Sequence, residues 1–175
     1  MTPFAYGKDE ARTRDHVSGP PPAPDAMRRN TQCRFAAFHE SGHAVMRIVR
    51  LGAATAIDIG ADGSGYSHGT GASICITDKI EIALAGPLAE SRARKISAAA
   101  IFMTCGLQDM EHASELAAGW ATTIGGDRDA VLRETEANAR RFLRYYWSSV
   151  ERLASAVLES GNLTSLEVDA LACIA

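Results

Sequence analysis

Two histidines and a glutamate lie close together in the segment Phe38–Ala44, which reads FHESGHA. His39 and His43 are four residues apart, so on a helix they point to the same face, within roughly 40° of each other. Two imidazole nitrogens one turn apart can bind one metal ion. The adjacent Glu40 lies off that face, where it can still reach a water on the metal. This arrangement is the HExxH pattern of zinc hydrolases, which supplies two ligands and a general base.

A zinc site that keeps a position for water needs a third protein ligand. The longer HExxHxxGxxH pattern does not supply it, because Met46 and Val49 stand at its glycine and histidine positions. We expect His68, in a glycine-rich loop, to be exposed, and His112 to be structural or solvated. Spacing alone does not choose among the acidic candidates, which are Asp58, Asp62, Glu90 and Asp109.

The composition is that of one globular domain. The chain has 175 residues, of which 46% are hydrophobic and 22% charged, and its 31 alanines favour helix. A net charge of -3 does not suggest a nucleic-acid-binding protein. The longest largely apolar uncharged stretch, 96–108, is too short to span a bilayer, and the N-terminus lacks a secretory signal. The four cysteines form no CxxC pair. We therefore expect reduced thiols and a cytoplasmic protein.

Hydrophobic spacing predicts a mainly α chain with a small β-sheet. Residues 1–30 hold five of the six prolines and are expected to form a disordered arm, followed by one domain over 31–175. Asp78 and Glu81 resemble a capping box, and Pro87 predicts a kink or break in the helix that follows. The predicted helices cover 31–50, 78–97, 108–123, 128–160 and a short segment capped by Thr164 and Glu167, and the predicted strands cover 55–61 and 73–77.

Three segments, in order along the chain, resemble the peptidase domain of the FtsH family of ATP-dependent, membrane-anchored zinc proteases. AAFHESGHAV resembles the family's HEAGHA helix, and LAGPLAE resembles its AGRxAE segment. GLQDMEHASELA resembles the segment that ends NDxxxATxLA, whose aspartate is the family's third zinc ligand. The resemblance covers residues 31–175, and it implies a zincin-like HExxH helix joined to a helical bundle.

The resemblance assigns a role to each candidate residue. It makes His39, His43 and Asp109 the ligands of a Zn²⁺ ion and Glu40 the general base. Glu90 becomes a carboxylate outside the ligand set that holds a ligand histidine in place.

The chain also departs from the family. It has no GxxxxGK[ST] phosphate loop and no transmembrane segment, and the segment 119–129 is shorter than its counterpart. We therefore expect a stand-alone zinc endopeptidase that cuts unfolded or flexible polypeptides. A separate ATPase acting in trans and self-association are further expectations. An added substrate strand beside Ile74–Ile76 is implied by the resemblance. The alternatives are a non-catalytic, metal-stabilised interaction module and a hydrolase of another amide or an ester.

Overall fold

The computed structural model describes residues 24–68 and 75–174, in which a bundle of helices packs beside one small antiparallel sheet. The predicted class, mainly α with a small β-sheet, is confirmed. In chain order the elements are α1 (Pro24–Leu51), β1 (Ala56–Ile59), β2 (Gly65–His68), α2 (Ile76–Arg94), α3 (Ala98–Phe102), α4 (Leu107–Ile124), α5 (Arg128–Tyr145), α6 (Trp147–Ser160), β3 (Asn162–Leu163) and α7 (Ser165–Ala172).

Helices α1 and α2 form the centre of the bundle. A Cβ added at Gly42 would lie 2.6 Å from both the Ala85 carbonyl oxygen and the Ala89 Cβ. Only glycine at this position lets the two helices approach so closely. The helices run in opposite directions, because Arg50 near the end of α1 reaches Asp78 near the start of α2. The close packing fixes which residues of α2 face the HESGH segment.

The start of α2 differs from the sequence prediction. The helix begins at Ile76, and the N-cap residue Cys75 makes no side-chain cap, so the predicted capping pair is wrong. Asp78 and Glu81 instead form ion pairs with Arg50, and the pair between Arg50 Nε and Asp78 Oδ1 is 3.6 Å long. Both acids therefore pair with an arginine of α1 and do not form a capping box.

Helix α2 also continues through Pro87. Of the predicted kink or break, the break is therefore wrong, and the kink stays a prediction. The helix is buried on most of its surface from Ile80 to Ser91. Packing on this scale outweighs the backbone hydrogen bond that a proline removes.

The sheet has the strand order β2-β1-β3. The predicted strand over 73–77 is wrong where it is described, because Ile76 and Thr77 belong to α2; residues 73–74 lie outside the described residues. β1 pairs with β3 on one side and, on the other, with β2, which lies within the glycine-rich segment. Its tight turn is closed by a 2.8 Å hydrogen bond from Gly60 N to Ser64 O. Gly63 adopts a φ of 84°, which favours glycine.

The predicted helix over 128–160 divides in two at Tyr146, whose φ of −97° and ψ of 22° depart from helical values. Apolar residues spaced three and four apart along this stretch face the core: Leu143, Val150, Leu153 and Val157 are buried, and Tyr146 is partly buried. The break lets Trp147 stack on Phe38 of α1, with ring centroids 5.7 Å apart.

The remaining elements follow the predictions in part. Helix α4 lies within one residue of its predicted bounds, and the capping box of Thr164 and Glu167 begins α7. Helix α1 begins at Pro24, so residues 24–30 extend it beyond its predicted start at 31, and the rest of the predicted arm, 1–23, lies outside the described residues. Helix α3 and strand β3 were not predicted. Within residues 24–68 and 75–174, every helix is too short or too polar to cross a bilayer.

Candidate metal centre

Three side chains from two helices converge on one point. On α1, the Nε2 atoms of His39 and His43 lie 3.1 Å apart. Asp109, in the first turn of α4, places Oδ2 3.0 Å from His39 Nε2 and Oδ1 3.5 Å from His43 Nε2. One donor atom from each residue lies within 4.8 Å of the other two. The structure therefore brings together the three residues that the sequence analysis named as ligands.

The spacing of these donors fits a zinc ion. Zn–N and Zn–O bonds of about 2.0–2.2 Å in a tetrahedron place neighbouring ligand atoms roughly 3.3–3.6 Å apart. The 3.0 Å from His39 Nε2 to Asp109 Oδ2 and the 3.1 Å between the two Nε2 atoms are slightly shorter than these values, and the 3.5 Å from His43 Nε2 runs to the other carboxylate oxygen, Oδ1. Two imidazoles and one carboxylate are also a ligand set that zinc uses, and three protein ligands leave a position for solvent or substrate.

A hydrogen bond at Nδ1 of each imidazole ring fixes the direction in which the Nε2 lone pair points. His39 Nδ1 lies 2.9 Å from Glu90 Oε2, and His43 Nδ1 lies 2.7 Å from the carbonyl oxygen of Ile82. Both partners are acceptors, so each Nδ1 carries the proton and donates it. In the neutral rings, both Nε2 lone pairs then point at each other and at the carboxylate of Asp109. These electron pairs repel one another unless a proton or a metal ion lies between them.

The electrostatics of the cluster lead to the same conclusion. Burial favours the neutral form of His39, but hydrogen bonds with Asp109 and Glu90 outweigh burial and raise the pKa of His39 to about 9. Burial alone would raise the pKa of Asp109, yet its hydrogen bonds with His39 and His43 hold that pKa well below its usual range. The site thus favours a carboxylate paired with a positive charge, which a metal ion can supply in place of a proton.

Glu90 contacts the back of His39 and points away from the converging donors. Its second oxygen, Oε1, accepts from Arg94 Nη2 at 2.6 Å and from Cys105 Sγ at 3.1 Å. Burial opposes ionisation of Glu90, but the hydrogen bonds from His39 and Cys105 and the charge of Arg94 lower its pKa. The position of Glu90 fits the predicted role of holding a ligand histidine. The sequence analysis missed Arg94 and Cys105, although the spacing of Glu90 and Arg94 is that of a helical ion pair.

Glu40 lies beside the donor cluster in a cleft of about 920 Å³ that His39, His43 and Asp109 also line. It is 8% exposed, and a Cβ on Gly65 of β2 would lie 2.7 Å from Glu40 Cγ. Within the part of the chain that the structure describes, no hydrogen bond or ion pair holds the Glu40 carboxylate. A buried carboxylate that faces a cleft without a partner is available to a water or a substrate.

The other candidates do not join the donor cluster. Asp62 lines the same cleft, but its carboxylate accepts from the backbone and hydroxyl groups of Ser64. Asp58 lies on β1 and does not line the cleft. His112 is exposed at the rim, as predicted, and the side chain of His68 lies outside the described residues.

Gly86 provides the space that the His43 ring occupies. A Cβ at this position would lie 2.3 Å from His43 Nε2, closer than any real contact. We expect Gly86→Ala to displace the ring and to weaken zinc binding by at least tenfold, because His43 can no longer meet the other two donors. Zinc titration against a chelating dye measures this effect.

Gly119→Ala is the matched control, because it makes the same substitution in a helix where a new Cβ meets nothing within 4 Å. It should leave zinc affinity unchanged and stabilise the fold by up to about 1 kcal/mol. Equal zinc affinity in the two variants would contradict the role assigned to Gly86.

No protein-family model and no curated protein matches this chain. The resemblance to the FtsH peptidase domain therefore stays a prediction that rests on the three sequence segments. The assignment of the metal centre rests on the geometry described above.

Proposed function

We propose that the chain is a zinc-dependent endopeptidase that hydrolyses peptide bonds in unfolded or flexible polypeptides. The observation that carries the proposal is the convergence of His39, His43 and Asp109 beside the unpartnered carboxylate of Glu40 in one open cleft. Three ligands and an adjacent base are the minimum that a metal-assisted hydrolysis requires.

Each residue has a defined part in the reaction. When bound, zinc lowers the pKa of a water to about 7 and polarises the carbonyl that is attacked. Glu40 accepts the proton of the attacking water and then donates it to the leaving nitrogen as the C–N bond breaks. Glu90 and the Ile82 carbonyl keep the two imidazole rings oriented, so the donors need no rearrangement during the reaction.

The edge of β2 is suited to hold the substrate backbone. β2 pairs with β1 on one side only, and among the described residues no strand pairs with its other edge. Because Gly65 of β2 lies against Glu40, an extended peptide added at this edge would place its backbone beside the base. This edge replaces the segment Ile74–Ile76, which the sequence analysis assigned to substrate binding. Recognition through main-chain hydrogen bonds suits substrates of varied sequence.

The alternative of a non-catalytic, metal-stabilised module is less well supported. A structural zinc needs a closed set of four protein ligands. The described residues supply three converging donors, and none of them holds the Glu40 carboxylate in a hydrogen bond or an ion pair. A cytoplasmic location, an ATPase acting in trans and self-association stay predictions.

Metal removal tests the proposal. The purified chain, loaded with one equivalent of zinc, should cut a permanently unfolded protein and leave a compact folded one intact. A zinc chelator should abolish cleavage, zinc should restore it, and ATP should have no effect because the chain contains no phosphate-loop motif. The absence of cleavage by zinc-loaded protein, or its persistence after chelation, would contradict the proposal.

A further inference from the structure

Arg47 lies on the same face of α1 as the metal ligands. The residues His39, His43 and Arg47 follow one another at four-residue intervals, and all three line the cleft. Arg47 is therefore one turn beyond His43, with its Cα roughly 6 Å further along the helix. This turn of α1 faces the beginning of α2, because Arg50 meets Asp78 while His39 meets Glu90.

Among the described residues, Arg47 has no counter-charge. Two neighbouring arginines are paired, Arg50 with Asp78 and Glu81, and Arg94 with Glu90. No described residue forms an ion pair with Arg47, and its Nε is buried without a hydrogen-bond partner.

The surroundings of Arg47 favour an anionic ligand. Lys79 lines the same cleft from the first turns of α2, and the structure gives it no ion pair within the residues it describes. Burial lowers the pKa of the Arg47 guanidinium, which reflects the cost of holding an unpaired charge partly away from water. A carboxylate that enters the cleft would relieve that cost and accept two parallel hydrogen bonds from the guanidinium fork.

We propose that Arg47, assisted by Lys79, forms a subsite that binds a carboxylate of the substrate within about two residues of the bond that is cut. The proposal rests on the proposed peptidase function and adds a substrate preference to it. The limit of about two residues comes from two lengths. The rise of α1 from His43 to Arg47 is roughly 6 Å, and an extended peptide rises about 3.2–3.4 Å per residue. The carboxylate belongs either to an acidic side chain or to the C-terminus of a short peptide.

Peptide binding by a protein that cannot turn over its substrate tests this subsite. In the zinc-loaded Glu40→Gln background, we would measure dissociation constants for fluorescent heptapeptides with an amidated C-terminus. In one series of peptides, a single glutamate occupies each position in turn. In the matched series, glutamine replaces that glutamate. A heptapeptide with only neutral side chains is also made in two forms, one with a free C-terminal carboxylate and one with an amidated C-terminus, and their binding is compared. We expect one acidic peptide, or the free C-terminus, to bind about 10- to 100-fold more tightly than its neutral partner.

Substitution of Arg47 should remove this preference. Arg47→Met keeps much of the apolar stem and should bind acidic and neutral peptides equally, while Arg47→Lys keeps the charge and should retain part of the preference. Arg133→Met, on the exposed face of α5, is the matched control and should behave like the parent protein.

The outcomes separate this proposal from the proposed function. Loss of the preference in Arg47→Met supports the subsite even if the wild-type chain cuts no peptide, in which case only the peptidase function fails. An unchanged preference in Arg47→Met, no preference in the parent protein, or no measurable peptide binding would overturn the subsite.

Discussion

Replacing Glu40 with glutamine is expected to stop peptide cleavage and to leave zinc bound. The amide has nearly the shape of the carboxylate but cannot accept a proton from the attacking water. Loss of a general base lowers turnover by about 10²- to 10⁴-fold. The histidines and Asp109 keep their positions, because their hydrogen bonds run to Glu90, to the Ile82 carbonyl and to one another.

Turnover of an unfolded protein and zinc content, measured on the same preparation, test this expectation. Glu134→Gln is the matched control, since it makes the same change at an exposed position of α5, and it should alter neither quantity. Cleavage by Glu40→Gln at the wild-type rate would remove Glu40 from its assigned role. Loss of zinc together with activity would indicate a structural role instead.

Replacing Asp109 with alanine is expected to reduce zinc affinity more than replacing Glu90. Asp109→Ala removes one of three ligands and leaves two imidazole nitrogens 3.1 Å apart, so affinity should fall by more than roughly 100-fold. Glu90→Ala keeps all three ligands but leaves the Nδ1–H group of His39 without its hydrogen-bond acceptor. Removing such a hydrogen-bond partner of a ligand lowers metal affinity about 10- to 100-fold.

Titration with zinc against a competing chelator compares the two variants directly. Glu111→Ala is the matched control, since Glu111 is exposed on α4 two residues after Asp109, and it should retain wild-type affinity. If Glu90→Ala loses the metal while Asp109→Ala keeps it, the roles of the two carboxylates are exchanged.

The donor pair of the metal centre could be predicted from the sequence because it depends on one helix alone. The four-residue spacing of His39 and His43 places both rings on one face of any α-helix, whatever surrounds it. The third donor could not be derived in this way. Asp109 is 70 residues from His39, and only the packing of α4 against the bundle brings their atoms within 3.0 Å.

Contacts between elements explain where the sequence predictions were wrong. Asp78 and Glu81 have the spacing of a capping box, but Arg50 lies within reach and pairs with both. The segment Gly65–His68 has the composition of a loop, yet the tight turn at Gly63 pairs it with β1 and places Gly65 against Glu40. The sequence around Gly86 did not indicate that this glycine makes room for His43, because His43 lies on a different helix, α1.

The coordination of zinc in the purified protein tests the metal centre most directly. X-ray absorption at the zinc edge, together with metal analysis, reports both the stoichiometry and the neighbouring atoms. We expect about one zinc per chain with nitrogen and oxygen neighbours only, two of them imidazoles, and an additional oxygen from solvent at the open position. Cys105 lies against Glu90, so a closed site that uses it would give a zinc–sulfur distance of about 2.3 Å. That distance, or protein that binds no stoichiometric zinc, would contradict the centre formed by His39, His43 and Asp109.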